Sequence, residues 1–409
     1  RLIAFICSPV ALGIAKRPHF VLGSLAASPG YGQDNPCGRT RKDTHGVTET
    51  VRRTAWNNGP MTFSATLPNF SSDYQEGAHA RVLDALVATN MEQSSGYGTD
   101  EHCERARNLI REACQAPDAD VYFLVGGTQT NATVIDAILL PWQGVIAPHT
   151  GHINMHEAGI VERGGHKILD TPAVDGKINA ADVERIYSAW EGDGARDHMI
   201  APALVYISQP TEYGTLYSLQ EIEDLSRVCR KRDLKLFVDG ARLAYALASP
   251  ANDVTLADLA RLTDVFYIGG TKCGTLFGEA VVIPERGSIR QFVTHMKQHG
   301  ALMAKGRLLG VQFEALFEDG LYLTIGKPAV EATARIRAAL KRAGYVVTME
   351  SPTNLTFVAL DQAGHGRLSD KVRYGIWETL PDGRYLARIG TSWATPEEDV
   401  LAFEEALAK

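Results

Sequence analysis

The sequence predicts an α/β protein, a mostly parallel sheet with helices on both faces, and three observations carry that expectation. From about residue 61 onward, short β-branched and aromatic runs alternate with stretches of helical length. Two such runs, KLFVDGARL at 235–243 and VFYIGGTKCG at 265–274, end in glycine and place Asp239 and Lys272 at strand ends. A third run, DVYFLV at 120–125, leads into Gly126, Gly127 and Thr128, a strand-to-helix turn. Open sheets of this class bind their ligands at the carboxyl ends of strands.

The individual elements follow from local signals. Helices are expected at about 79–90 and 100–116, ahead of the strand at 120–125. Further strands are expected near 145–148, 166–170, 203–208, 235–239, 264–268 and 279–283. Ser218 and Glu221 form a capping box for a helix ending near Arg232. Beyond about residue 285 the pattern changes to long helices at 287–317 and 327–343, then strands at 345–349, 355–360 and 384–390. Thr395-Pro396-Glu397-Glu398 reads as a capping box with proline at the first helical position. The expected organisation is an extension at 1–60, a large cofactor domain with its N-terminal arm at 61–312, and a small α+β domain at 313–409. Neither an internal repeat nor a low-complexity segment is present.

At 45% apolar and 22% charged, the 409 residues have the composition of an ordinary globular protein. Residues 1–60 carry eight Lys/Arg against three Asp/Glu, so residues 61–409 hold a net −12. An acidic body argues against nucleic acid or an anionic membrane as partner. Six scattered cysteines without framework spacing suit a reducing, cytoplasmic setting. No apolar run reaches the roughly 18–20 residues a membrane span needs. The first sixty residues are rich in Gly, Pro, Ser and Arg and lack a sustained period, so the functional chain is expected to begin near Met61.

An aspartate and a lysine at adjacent strand ends suit pyridoxal phosphate. The lysine would form the Schiff base, and the aspartate would keep the ring nitrogen protonated so that the ring accepts electrons. VGGTQTN at 125–131 then supplies a phosphate site, with glycines for close approach and free N–H groups at the helix start. It matches neither a Walker A loop nor GxGxxG, which leaves room for a single phosphate. HTGHINMHE at 149–157 holds three histidines, but neither HExxH nor HxxEH, so no metal is expected there. A ring stacked on the cofactor suits His152, while His149 and His156 read as structural. A serine-hydrolase elbow, GxSxG, is missing.

Together the segments around Lys272 and Asp239, GGT at 126–128 and GHINMHEAG at 151–159 resemble the low-specificity L-threonine aldolases. These belong to the β-eliminating-lyase group of fold-type-I pyridoxal-phosphate enzymes. The resemblance runs from about Phe70 to the C-terminus and takes in FSSDYQEGAH (70–79), SGYGTDE (95–101), ALMAKGRLLGVQF (301–313) and RIGTSWATPEEDV (388–400). It implies an aspartate-aminotransferase-like fold and retro-aldol cleavage of L-threonine, L-allo-threonine or a related β-hydroxy-α-amino acid to glycine and an aldehyde.

By position, the resemblance implies that Lys272 carries the cofactor, Asp239 meets its pyridine nitrogen, Gly127 and Thr128 hold its phosphate, and His152 stacks on its ring. Arg242, Ser72 and Arg388 would hold the substrate carboxylate, with Arg242 also near the phenolic oxygen. Tyr97 and Lys305 are expected in the pocket or at a subunit interface, and the assembly is expected to be a homodimer or homotetramer. One stretch departs from the pattern. SQPTEYGT at 208–215 stands where many members have Thr-His-Asn. His152, a water held by the phosphate, and Glu212 all stand open as the base. So do two other reactions of the same fold, β-elimination and transamination, and a phenylserine-type substrate.

Overall fold

The computed structural model describes residues 67–408; the extension expected at 1–60 and the start near Met61 lie outside the described residues. Seven strands form the main sheet: β1 (Asp120–Leu124), β2 (Gln143–Pro148), β3 (Lys167–Thr171), β4 (Ala201–Ser208), β5 (Lys235–Asp239), β6 (Val265–Gly269) and β7 (Glu279–Ile283). Their order is β1-β7-β6-β5-β4-β2-β3. The run from β6 to β3 is parallel, and β7 alone is antiparallel to its neighbours β1 and β6.

Alternation along these strands divides the interior into two layers. Val205, Ile207, Leu236, Val238, Phe266 and Ile268 face one core, which they share with helix α1 (Ala80–Ala88), helix α2 (Glu101–Ala113) and helix Leu219–Arg232. Leu204, Tyr206, Phe237, Val265 and Tyr267 face the other, against helix α3 (Gly127–Ile138) and helix Phe292–Gln298. Both faces are apolar, as a sheet covered on both sides requires. Asp239 shares the parity of Phe237 and so belongs to the α3 side.

A second, four-stranded antiparallel sheet contains β8 (Val346–Val347), β9 (Leu355–Leu360), β10 (Gly375–Thr379) and β11 (Tyr385–Gly390) in the order β10-β11-β9-β8. Ile336, Leu340, Val358, Leu360, Ile389 and Phe403 form its core against helices Lys327–Arg342 and Glu397–Ala408. The chain enters along this sheet. Phe70 N–H donates to Arg373 O at 2.8 Å, and Gly390 N–H donates to Phe70 O at 2.9 Å. This clasp delivers residues 71–73 to the space between the two sheets' strand ends.

Several expectations need correction. The helix expected over 287–317 is two, Phe292–Gln298 and Arg307–Phe317. Gly300, at φ +68°, ends the first, and Gly306 packs so closely on the 95–101 loop that a Cβ would lie 2.5 Å from Gly98 N. Residue 312 therefore lies inside a helix. β10 and the helix Gln362–Ser369 were not expected from the sequence; β10 is mostly half-exposed or exposed and lacks an apolar run. Thr395 does not cap the last helix, because its hydroxyl accepts from Ser392 N–H at 2.7 Å. Pro396 stands just ahead of that helix, its carbonyl receiving Asp399 N–H at 3.2 Å. The Ser218–Glu221 capping box is present as expected.

Candidate active site

Residues at the strand ends converge on one cleft, lined by Gly127, His152, Ser208, Glu212, Asp239, Arg242 and Lys272 among others. The structure thus brings five of the sequence-predicted residues into one place: Lys272, Asp239, His152, Gly127 and Arg242. Thr128 borders a neighbouring cavity instead, together with Gln129, Arg163 and His299. Tyr97 and Gly306 line a further cavity beside α2, away from the cleft.

Asp239 is held in place more tightly than its strand-end position suggests. Tyr267 and Tyr206 donate to it at 2.5 and 2.7 Å, Asn131 at 3.0 Å and Ala241 N–H at 2.9 Å. Burial alone would raise its pKa, but Tyr267's donation, the charge of His152 and the remaining donors outweigh burial and hold it below the usual carboxylate range. An ionised, buried carboxylate of this kind can keep a pyridine nitrogen protonated. The two tyrosines come from β4 and β6 on either side of β5, and Asn131 sits one helical turn past Gly127.

Lys272 follows β6 in a tight loop where Gly270 and Thr271 N–H groups both donate to Gly278 O at 3.0 Å. Its own carbonyl accepts from Tyr245 at 2.6 Å. Burial, then the Arg242 charge, lower the pKa of its amine, which favours the nucleophilic neutral form. Beneath it on β7, burial pushes the Glu279 carboxyl up to about 8. Gly240 has to be glycine for contact reasons, since a Cβ there would lie 2.0 Å from Tyr267 O.

His152 opens a short helix after β2, and its Nδ1 lies 2.7 Å from Glu157 Oε1, which also accepts from Asn131 at 2.8 Å. His149 Nδ1 accepts from Ala173 N–H at 3.1 Å, and the His156 ring packs on Trp377 at 4.9 Å. Among the described residues, no cluster of three or more His, Cys, Asp or Glu side chains could hold a metal ion, and no helix is long and apolar enough to cross a membrane.

Arg242 makes a buried two-point pair with Asp73, Nε–Oδ2 2.6 Å and Nη2–Oδ1 3.0 Å, and Asn354 adds a bond to Asp73 at 2.9 Å. Burial opposes ionisation of Asp73, yet Arg242 and Lys272 hold its pKa far below normal. The pair leaves Nη1 as the nitrogen that Arg242 can turn to a ligand. Ser72 Oγ and Arg388 Nε are both buried without a partner. Burial and the nearby Arg242 charge lower the Arg388 pKa, so an anion placed between these groups would be stabilised.

Sequence reasoning missed Asp73, Asn131, Glu157, Tyr206, Tyr267, Glu279 and Asn354. Only Asn131 had a local signal, its four-residue spacing from Gly127. The site residues fit pyridoxal phosphate on observed grounds. Ser72 Oγ and Arg388 Nε are buried without partners, Asp239 is held as an anion, and a side chain at Gly126, ahead of α3, would meet nothing within 4 Å. That empty space over a helix N-terminus can accept a phosphate.

Comparison with known proteins gives the same picture. The Beta-eliminating lyase family model matches residues 69–363. A low specificity L-threonine aldolase from Pseudomonas sp. (strain NCIMB 10558) is 30% identical over 260 residues, covering 62% of this chain and 72% of that protein. A solved Leishmania major threonine aldolase superposes with TM-score 0.80 at 45% identity, over 83% of this chain and 98% of that one. Aspartate aminotransferase from Thermus thermophilus shares the fold at TM-score 0.62 and 15% identity, over 84% and 91% of the two chains.

Proposed function

The chain belongs to the beta-eliminating lyase family, and from that premise we propose how its own residues perform threonine-type aldol cleavage. It is a pyridoxal-phosphate-dependent lyase that releases glycine and an aldehyde from L-threonine or a related β-hydroxy-α-amino acid. Bound in the cleft, the cofactor supplies a sink for the electron pair left on Cα. Lys272 would attach it, and the Asp239 carboxylate would keep its ring nitrogen protonated. Gly127 and Thr128 at the start of α3 would take the phosphate, and His152, steadied by Glu157, would cover the ring.

The substrate carboxylate goes to Ser72 Oγ, Arg388 and the free Nη1 of Arg242. Fixing the carboxylate would orient the substrate so that Cα–Cβ is the bond set up to break. In cleavage the β-hydroxyl O–H breaks, the C=O forms, Cα–Cβ breaks and the aldehyde departs; a proton then adds at Cα. The observation that carries this reading is the presence of an ionised Asp239 and of Lys272 in one cleft with Arg242. A phenylserine-type substrate, with phenyl as the β-substituent, is proposed as a variant. The enzyme is proposed to work in the cytoplasm as a homodimer or homotetramer.

A product assay with added cofactor on L-threonine, L-allo-threonine and L-phenylserine tests the reaction. Glycine plus aldehyde is expected. Pyruvate plus ammonia would mean β-elimination, and a keto acid formed only with an acceptor would mean transamination.

A further inference from the structure

The loop 209–215 spends most of its polar groups on itself. Gln209 bonds both the N–H and the carbonyl of Tyr217, at 2.9 and 3.1 Å. The Thr211 hydroxyl pairs with that of Thr215 at 2.6 Å, and Thr215 donates on to Asp175 O. Glu212 is the exception, because its side chain turns into the cleft that also holds Lys272 and Asp239. Glu212 Oε1 accepts from His152 N–H at 2.8 Å and from Ser208 Oγ at 2.8 Å. Its other oxygen, Oε2, is buried and has no partner. A buried carboxylate oxygen left without a donor is costly, so a ligand hydroxyl meeting it would be well rewarded.

We propose that Glu212 is the catalytic base of the cleavage, its Oε2 taking the proton of the substrate's β-hydroxyl. This assignment rests on the aldol reading above. The O–H bond breaks and its proton passes to Oε2. The O–H pair becomes the second bond of the aldehyde C=O, and the Cα–Cβ pair stays with Cα. Glu212 then returns its proton to solvent after the aldehyde leaves.

Three features favour Glu212 over His152. Because Oε1 already serves two donors, any proton Glu212 gains resides on Oε2, facing the cleft. His152 has Nδ1 committed to Glu157, and its ring is needed face-on against the cofactor. Finally, burial first and the Asp239 charge after it push the Glu212 pKa upward, which makes a better proton acceptor near neutrality. The other groups facing it are Arg242 beyond β5, His152 with Glu157 after β2, Tyr206 on β4, and Tyr213 and Tyr217 on its own loop.

The test uses the cofactor-loaded enzyme and the Glu212→Gln and Glu212→Asp variants. Two rates are measured against pH: aldehyde release from L-threonine, and exchange of the Cα hydrogen of glycine in deuterated water. Exchange needs the cofactor and Lys272 but no β-hydroxyl. Cleavage by Glu212→Gln should fall about 10²–10⁴-fold while exchange is retained, and the acidic limb of the cleavage profile should vanish. Glu212→Asp should recover part of the cleavage. Without cofactor, a carboxyl with a raised pKa opposes folding increasingly as pH climbs from its unfolded to its folded value. The wild type should therefore lose stability over that window relative to Glu212→Gln.

Cleavage by Glu212→Gln within about tenfold of wild type, or an equal fall in both reactions, would overturn the assignment. So would identical pH dependence of stability in the two apoproteins. Wild-type enzyme that exchanges glycine yet never releases an aldehyde would sink the aldol reading and this one with it.

Discussion

Each catalytic group here is set by partners far away in the chain. Lys272→Ala should leave no borohydride-fixable cofactor; a covalent label at normal stoichiometry in that variant would displace Lys272 from its role. Asp73→Asn probes the guanidinium side. It leaves Arg242 buried and half-unpaired, a loss of about 3–5 kcal/mol for a broken buried pair. The sign with pH follows from the depressed Asp73 pKa. Its contribution is complete above the ordinary carboxylate value and disappears only as pH falls through the much lower folded value. Unfolding curves of wild type and variant should be widely separated at neutral pH and converge only in strong acid. Lys272 and Asp239 were legible in the sequence because apolar strands and glycines frame them locally. Asp73 was not, because the residue that gives it meaning lies 169 positions away. The same holds for Tyr206 and Tyr267, which read as ordinary strand aromatics until β4, β5 and β6 pair.

Elements were legible where a periodic run coincided with a cap or a glycine. All seven strands of the main sheet were visible for that reason, as was helix Leu219–Arg232, whose start is marked by Ser218 and Glu221. Ser218→Ala should cost about 1 kcal/mol and lower the unfolding temperature, while kcat stays unchanged because the cap lies outside the cleft. A fall in kcat/KM would show that this helix end is coupled to the site. The helical period continued through 299–306 in the sequence, and only the close approach of Gly306 to Gly98 reveals why the helix must break there. That constraint belongs to two segments at once. β10 was hidden for the opposite reason, an edge strand too polar to alternate.

Among the described residues, exposed apolar side chains include Leu83, Val87 and Met91 on and after α1, Tyr97 on the next loop, and Leu276 just past Lys272. Exposed apolar side chains of this kind are an expected seat for a second copy. Sedimentation should find a dimer or tetramer, and Val87→Glu with Met91→Glu should weaken it and reduce activity together. A fully active monomer would contradict the proposed assembly.

The clasp between residues 67–73 and the small sheet also has a consequence in time. Asp73 is translated early, but Asn354, its partner 281 residues later, and Arg388 leave the ribosome almost last. Through most of synthesis the main sheet can pair its strands and Arg242 can meet Asp73, while Asn354, which completes the hold on Asp73, and Arg388 are still to come. A nascent chain halted before residue 354 should therefore gain protease resistance in the sheet while failing to retain an amino acid. Competence arrives in one late step, when Asn354 and Arg388 reach residues 71–73.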